Sequence, residues 1–223
     1  STQGVSSAAS DVYKRQDPYH GARDPRMNVS IFTPGDNTGF SNYTFNPFNP
    51  DCGDYIGRND GIRSGYMMKK FMTEDDRGNN GNGSLDFVIY RYAEVLLDYV
   101  ECLIETGHWN DPKVKEYIDA IRVRGGMPRM DETVYNSEEK VRELYRRERR
   151  VELCFENKRY DDIRRWGIGT ETMSGPIYGA WNPNDEAFVL IETRACVFPK
   201  YDSWPLPQQE ETANSNIKQP TGW

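Results

Sequence analysis

Residues 136–169 read NSEEKVRELYRRERRVELCFENKRYDDIRRWGIG, and the fold turns on this stretch. Val141, Leu144, Glu148, Val151 and Phe155 recur every three or four positions, so the apolar members share one stripe of a helix. Arg146, Arg147, Arg149 and Arg150 flank that stripe as a charged collar. Asn136 with Glu139 three residues on reads as an N-cap with its reciprocal acid, and Ser137 is an alternative cap. Asn157 tolerates the left-handed conformation and marks the stop. A second, short helix is expected from Lys158 to Trp166, burying Tyr160, Ile163 and Trp166 and closing at Gly167.

Glu148 and Glu152 lie one turn apart, which admits two uses. As an acid pair they suit general acid/base chemistry, because like charges push one pKa up. As partners of Arg149, Arg150, Arg159, Arg164 and Arg165 they form a lattice that locks two helices together. The abundance of arginine favours the lattice, and no nucleophile or histidine stands in the stretch to support catalysis.

Working towards the N-terminus, Ile89, Ala93, Leu96, Val100, Leu103 and Ile104 make the apolar stripe of a helix expected from Leu85 to Gly107, with Tyr92 and Tyr99 as shoulders. Asp111 and Pro112 then open another helix, carried by Val114, Tyr117, Ile118 and Ile121 to Gly125 and Gly126. Trp109 falls in the turn between them as an inter-helix plug. Helix, turn, helix, loop, helix, turn, helix over this span has the spacing of two tetratricopeptide-like pairs, which need stacked neighbours to bury their faces.

From Asp17 to Gly83, turn formers alternate with Phe32, Phe40, Tyr43, Phe45, Phe48, Tyr55, Tyr66 and Phe71, which predicts long ordered loops. Flat rings beside Asn and Asp suit a sugar, whose C–H face stacks on an aromatic while its hydroxyls find polar partners. The candidate ligand-binding residues on this reasoning are Tyr43, Phe48, Tyr55 and, from the far end of the chain, Trp181. The same rings also serve to pin loops onto helices. Residues 75–83, DDRGNNGNG, are rich in oxygen donors, but the twelfth position from Asp76 is Phe87, so the EF-hand register is absent and a loop tip is expected.

After Gly169, a hairpin is expected from strands Ala187–Ile191 and Ala195–Pro199, followed by an extended, proline-rich tail pinned by Trp204 and Trp223.

With 223 residues and a formal net charge of −7, the chain is long enough for a core and lacks the basic face that nucleic acid demands. The stretch from Ile89 to Ile104 is broken by Arg91, Glu94, Asp98 and Glu101, so no membrane span is expected. Cys52, Cys102, Cys154 and Cys196 have no zinc-like spacing, and Cys102 and Cys154 are expected as small buried hydrophobes whose disulfide state is open. No cofactor or metal is implied.

The run Glu148, Arg149, Arg150, Glu152, Leu153, Phe155, Glu156, Arg159, Tyr160, Asp162, Arg164, Arg165, Trp166 resembles the signature of the SusD/RagB family, with Asn157 where that family usually has Gly. Further blocks match in order. They are Arg23–Arg26; Gly65, Tyr66, Lys69 and Lys70; Arg91–Leu97; Ile121–Pro128; and the tail from Pro205 to Trp223. The resemblance implies a mainly α fold, with tetratricopeptide-like helical pairs, long ordered loops and a short β-hairpin. It also implies a non-catalytic, outer-membrane glycan-binding lipoprotein that lids a SusC-type TonB-dependent transporter and delivers oligosaccharide to it. On that reading the chain is the C-terminal part of a longer protein and its anchor lies elsewhere. Residues 1–16 are set aside as a leader. The family domain is taken as 17–223, divided into a loop-rich part (17–84), helical repeats (85–166) and extended loops with the tail (167–223). The alternatives are a glycoside hydrolase using Glu148 and Glu152, and a tetratricopeptide adaptor for peptides.

Overall fold

The computed structural model describes residues 19, 23–40, 42–73, 76, 85–182, 185–198 and 200–223. The leader 1–16 and, apart from Asp76, the 75–83 loop lie outside the described residues. Three helices build the core: α2 (Tyr92–Glu105), α3 (Pro112–Arg124) and α4 (Glu138–Glu152). They pack pairwise through Leu97, Val100, Ile104, Val114, Ile118, Ile121, Val141, Leu144 and Tyr145, all of them buried. Around this core stand α1 (Arg26–Ser30), α5 (Arg159–Arg165), α6 (Gly169–Met173) and α7 (Gln208–Ala213). Two antiparallel pairs complete it: β1 (Ile31–Phe32) with β2 (Met67–Met68), and β3 (Gly175–Asn182) with β4 (Ala187–Arg194). The architecture is mainly helical and tetratricopeptide-like, as expected.

Local chemistry explains the helix boundaries. Asp111 accepts from Lys113 N with Pro112 in the first turn, and Ser137 caps α4 by accepting from Lys140 N at 3.4 Å. Asn136, the other candidate cap, instead accepts from the Lys140 ammonium at 3.0 Å. Gly107, at φ +80°, lets His108 N reach back to Leu103 O at 2.8 Å, which satisfies a terminal carbonyl of α2.

Several expectations are corrected. Helix α2 begins at Tyr92, not Leu85. The β-branched and aromatic residues Phe87–Tyr90 favour extended backbone, Ile89 is 76% exposed, and its carbonyl accepts from Lys158. Phe155 leaves the core stripe because α4 ends at Glu152 and the following turn throws its ring outward. Tyr160 is exposed, its hydroxyl donating to Tyr201 O at 2.7 Å. The hairpin pairs 175–182 with 187–194. Glu192–Arg194, expected as a turn, continue β4, and the glycines, Pro176 and register shifts of β3 hide its period. The tail contains α7, which starts directly after Pro207, where a proline costs a helix nothing. Trp223 pins the tail by donating to Lys200 O and Ser203 O, whereas Trp204 stands in solvent. Cys102 is exposed, one of an outward stripe with Tyr92, Val95 and Tyr99, and Cys154 is half-buried; Cys52 is the buried cysteine, and all four are free.

Candidate functional site

Four separate sequence blocks converge on the C-terminal end of α4. Glu148 meets Arg26 at 2.5 Å and Arg122 at 2.8 Å. Glu152 meets Arg91 at 2.6 Å, Arg26 at 3.2 Å and also Arg124. Glu156 meets Lys70 at 2.6 Å and Arg91 at 2.8 Å. Lys70 further donates to the carbonyls of Glu152 and Cys154, answering two of the acceptors left open where the helix ends. The three glutamates are buried, and burial does not neutralise Glu152 or Glu156. Desolvation would raise Glu152 and Glu156, but the hydrogen bonds and charges of Arg91, with Arg124 and Arg26 on one and Lys70 on the other, hold both below the usual carboxylate range.

This lattice requires a close approach. A Cβ on Gly125 would stand 2.8 Å from Arg26 Cδ, so the absence of a side chain there lets Arg26 reach in from α1. Beside the lattice lies a cavity of about 590 Å³ walled by Arg26, Val29, Phe71, Arg124, Val151 and Glu152. A second lattice is built on Arg149 and Glu101. Arg149 binds Asp162 at 2.8 Å and Asp98 at 2.7 Å, while Glu101 accepts from Tyr145 and from the Trp166 indole, each at 2.6 Å. Glu148 and Glu152 are therefore both engaged by basic partners and are not an acid pair free for substrate. Among the described residues no group of three or more His, Cys, Asp or Glu is disposed to hold a metal ion.

The four predicted aromatics fall into two groups. Tyr43 and Tyr55 share the loop between β1 and β2, which is stitched by Gly35 N to Phe45 O and Phe45 N to Asp36 O, with Phe45 buried beneath. The Tyr43 hydroxyl lies 2.6 Å from Cys52 Sγ and donates to Asp54. Burial, followed by those two bonds, pushes it well above the ordinary tyrosine range. Tyr55 is half-buried, its ring lying against Gly57. Phe48, also half-buried, packs 6.4 Å from Tyr19. Tyr19 accepts from Trp181 N at 2.9 Å and so joins Phe48 to the hairpin. Trp181 itself is only 4% exposed, its ring edge-on to Phe188 at 5.0 Å. Tyr19 and its edge-on partner Tyr66, 5.6 Å away, complete the layer. Sequence reasoning missed Tyr19, which is 162 residues from Trp181 and belongs to no period.

The SusD family model matches residues 3–223, a span that includes most of the leader set aside from the sequence. SusD-like protein P2 of Formosa agariphila is 29% identical over 205 residues, covering 88% of this chain and 36% of that protein. A SusD-like carbohydrate binding protein of Bacteroides fragilis superposes with a TM-score of 0.71 at 31% identity, covering 92% of this chain and 44% of that one. A second SusD-like protein of Bacteroides fragilis gives a TM-score of 0.72 at 28% identity, with 92% and 40% covered. The chain thus spans well under half the length of these relatives. A match over nearly the whole chain, with the convergence of its sequence blocks on one lattice, places the chain in the SusD family.

Proposed function

We propose that the chain forms part of a non-catalytic nutrient-binding protein of the outer membrane that captures oligosaccharide and passes it to a SusC-type TonB-dependent transporter. The observation that carries the reading is the division of labour in the structure. Glu148, Glu152 and Glu156 are committed to guanidinium and ammonium partners, while half-buried rings gather in an ordered loop. A glycosidase needs one acid held protonated beside an open subsite. Glu152 is held ionised by arginine and Glu148 is occupied by Arg26 and Arg122, which argues against that use. The carbohydrate-binding relative at 31% identity supports the glycan assignment.

In this reading Phe48 and Tyr55 offer ring faces to sugar, with Tyr43 and Trp181 fixing the loop and the hairpin beneath them. The outward stripe Tyr92, Val95 and Tyr99 on α2 is the face proposed to meet a protein partner, the transporter in the first instance. A glycan array combined with a reducing-end assay tests the proposal. Binding without release of reducing ends is expected. Turnover lost in Glu148→Gln or Glu152→Gln would establish the hydrolase instead.

A further inference from the structure

Between the end of α4 and the start of α5 lies a cavity of about 450 Å³, separate from the aromatic layer and bordered by Arg150, Leu153, Phe155, Asn157 and Arg159. The surrounding arginines are partnered: Arg149 by Asp162 and Asp98, Arg165 by Asp162 and Glu101, Arg142 by Glu105 and Glu138. Arg150 and Arg159 make no ion pair or side-chain hydrogen bond among the described residues. The cavity's two aspartates are engaged elsewhere, Asp162 by Arg149 and Arg165, and Asp161 by Arg164 at 3.8 Å. Lys158, on the same wall, is held by Glu94 at 3.0 Å. Burial, and after it the charge of Arg150, push the Arg159 guanidinium below the usual arginine range. Arg159 lies 5.9 Å over the Trp166 ring and feels part of the Asp162 charge, yet neither it nor Arg150 has a carboxylate within ion-pair distance among the described residues, an arrangement that an anion relieves.

The rim has matching character. Phe155 sits at φ +64° and Asn157 at +59°, a conformation uncommon for an aromatic residue. The turn sends Glu156 inward to Arg91 and Lys70, and by the same geometry leaves the Phe155 ring 45% exposed at the cavity's edge. A planar ring beside two forked donors suits a sugar that bears an acid: the ring meets the C–H face, and the guanidiniums take the oxygens. We propose that this cavity is an oxyanion site in which Arg150 and Arg159 receive the carboxylate or sulfate group of an acidic saccharide. The assignment rests on the glycan reading for the sugar, and on the two arginines alone for the anion.

The test uses the chain and its Arg150→Gln/Arg159→Gln variant, with a galacturonate oligomer, a sulfated oligosaccharide and a neutral oligosaccharide of equal length in titration calorimetry. Inorganic sulfate, set against chloride at matched ionic strength, is followed by thermal shift. The expected result is acidic oligomers bound about tenfold more tightly than the neutral one, the difference vanishing in the variant. Sulfate should raise the melting temperature of the wild type only. Arg159 packs over the Trp166 ring, so the stability control is Arg150→Gln alone, which should melt no lower than the wild type without ligand; a large drop there would show that Arg150 is already paired and would overturn the site. Neutral and acidic oligomers bound alike by both proteins would also overturn it while leaving the glycan reading intact. Arginine-dependent protection by sulfate with no oligosaccharide bound would support the oxyanion site and remove the glycan reading.

Discussion

Arg91 and Glu156 form a side-on pair in which Nε donates to Oε2 and Nη2 to Oε1, each at 2.8 Å, while Nη1 turns to Glu152 at 2.6 Å. A single guanidinium thus ties the residue before α2 to the turn after α4. Removing it takes the fork from Glu156, which keeps only Lys70, and one of three cations from Glu152, so Arg91→Ala should lower stability by about 1–3 kcal/mol in denaturant unfolding. Arg91→Lys should recover little of this, because an ammonium cannot make the fork. Full rescue by lysine would mean that charge alone matters here. Arg149→Ala, which leaves the buried Asp162 to Arg165 alone, should cost a similar amount, about 1–3 kcal/mol.

Acid sensitivity follows from the same groups. Glu152, Glu156 and Glu101 sit below the usual carboxylate range, since the opposing cations, with Tyr145 and Trp166 for Glu101, outweigh the effect of burial. The folded chain therefore binds these protons less readily than the unfolded chain. Their contribution is complete above the unperturbed glutamate value of 4.5 and is lost as pH falls through the depressed values. Melting temperature should fall steeply below that point, and Glu156→Gln should flatten the fall while lowering stability at neutral pH. A profile unchanged by the substitution would separate the lattice from acid unfolding.

Gly125 and Arg26 are coupled by space. A methyl at 125 would crowd Cδ and Nε of a side chain already held by Asp24, Glu148 and Glu152. Gly125→Ala should cost about 1–3 kcal/mol by overpacking. In a double-mutant cycle with Arg26→Ala most of that cost should vanish, because the obstructing chain is gone. Strict additivity would place the strain elsewhere.

What the sequence discloses and what it hides divide along physical lines. The stripes of α3 and α4, the Asp111 and Ser137 caps and the arginine-glutamate spacing are local, and they were readable as such. The start of α2 was not, because Ile89 falls by chance in phase with Ala93. The outward turn of Phe155 was hidden for a related reason: a stripe carries no sign of where the helix stops. The lattice partners Arg26, Lys70 and Arg91 and the bridging Tyr19 depend on contacts between residues 61 or more apart, for which no periodicity exists. Arg26, Lys70 and Arg91 became visible only as blocks resembling a family, and Tyr19 not at all.

Asn157, at φ +59°, carries the turn that delivers Glu156 to Arg91. Asn157→Gly should be neutral or slightly stabilising, since glycine adopts this conformation without penalty. Asn157→Val should cost about 1–3 kcal/mol and loosen the Glu156 pair. The two variants compared by thermal melting isolate backbone strain; equal losses would point to a role for the amide.

The aromatic layer separates into ring faces and tethers, and the two respond to different substitutions. Phe48 presents a half-buried ring with no polar group, so Phe48→Ala should weaken oligosaccharide binding, with about 1–3 kcal/mol expected for a lost stacking platform by analogy with bases on aromatics. Tyr43 is fixed through its hydroxyl to Asp54 and Cys52. Tyr43→Phe therefore deprives a partly buried acid of its donor and should lower stability by about 1–2 kcal/mol while leaving the Phe48 and Tyr55 ring faces in place for sugar. Titration calorimetry with the best array ligand, run beside thermal melting, distinguishes them. Phe48→Ala is expected to move affinity more than melting, and Tyr43→Phe melting more than affinity. Undiminished affinity in a folded Phe48→Ala/Tyr55→Ala protein would take ligand capture out of this loop altogether.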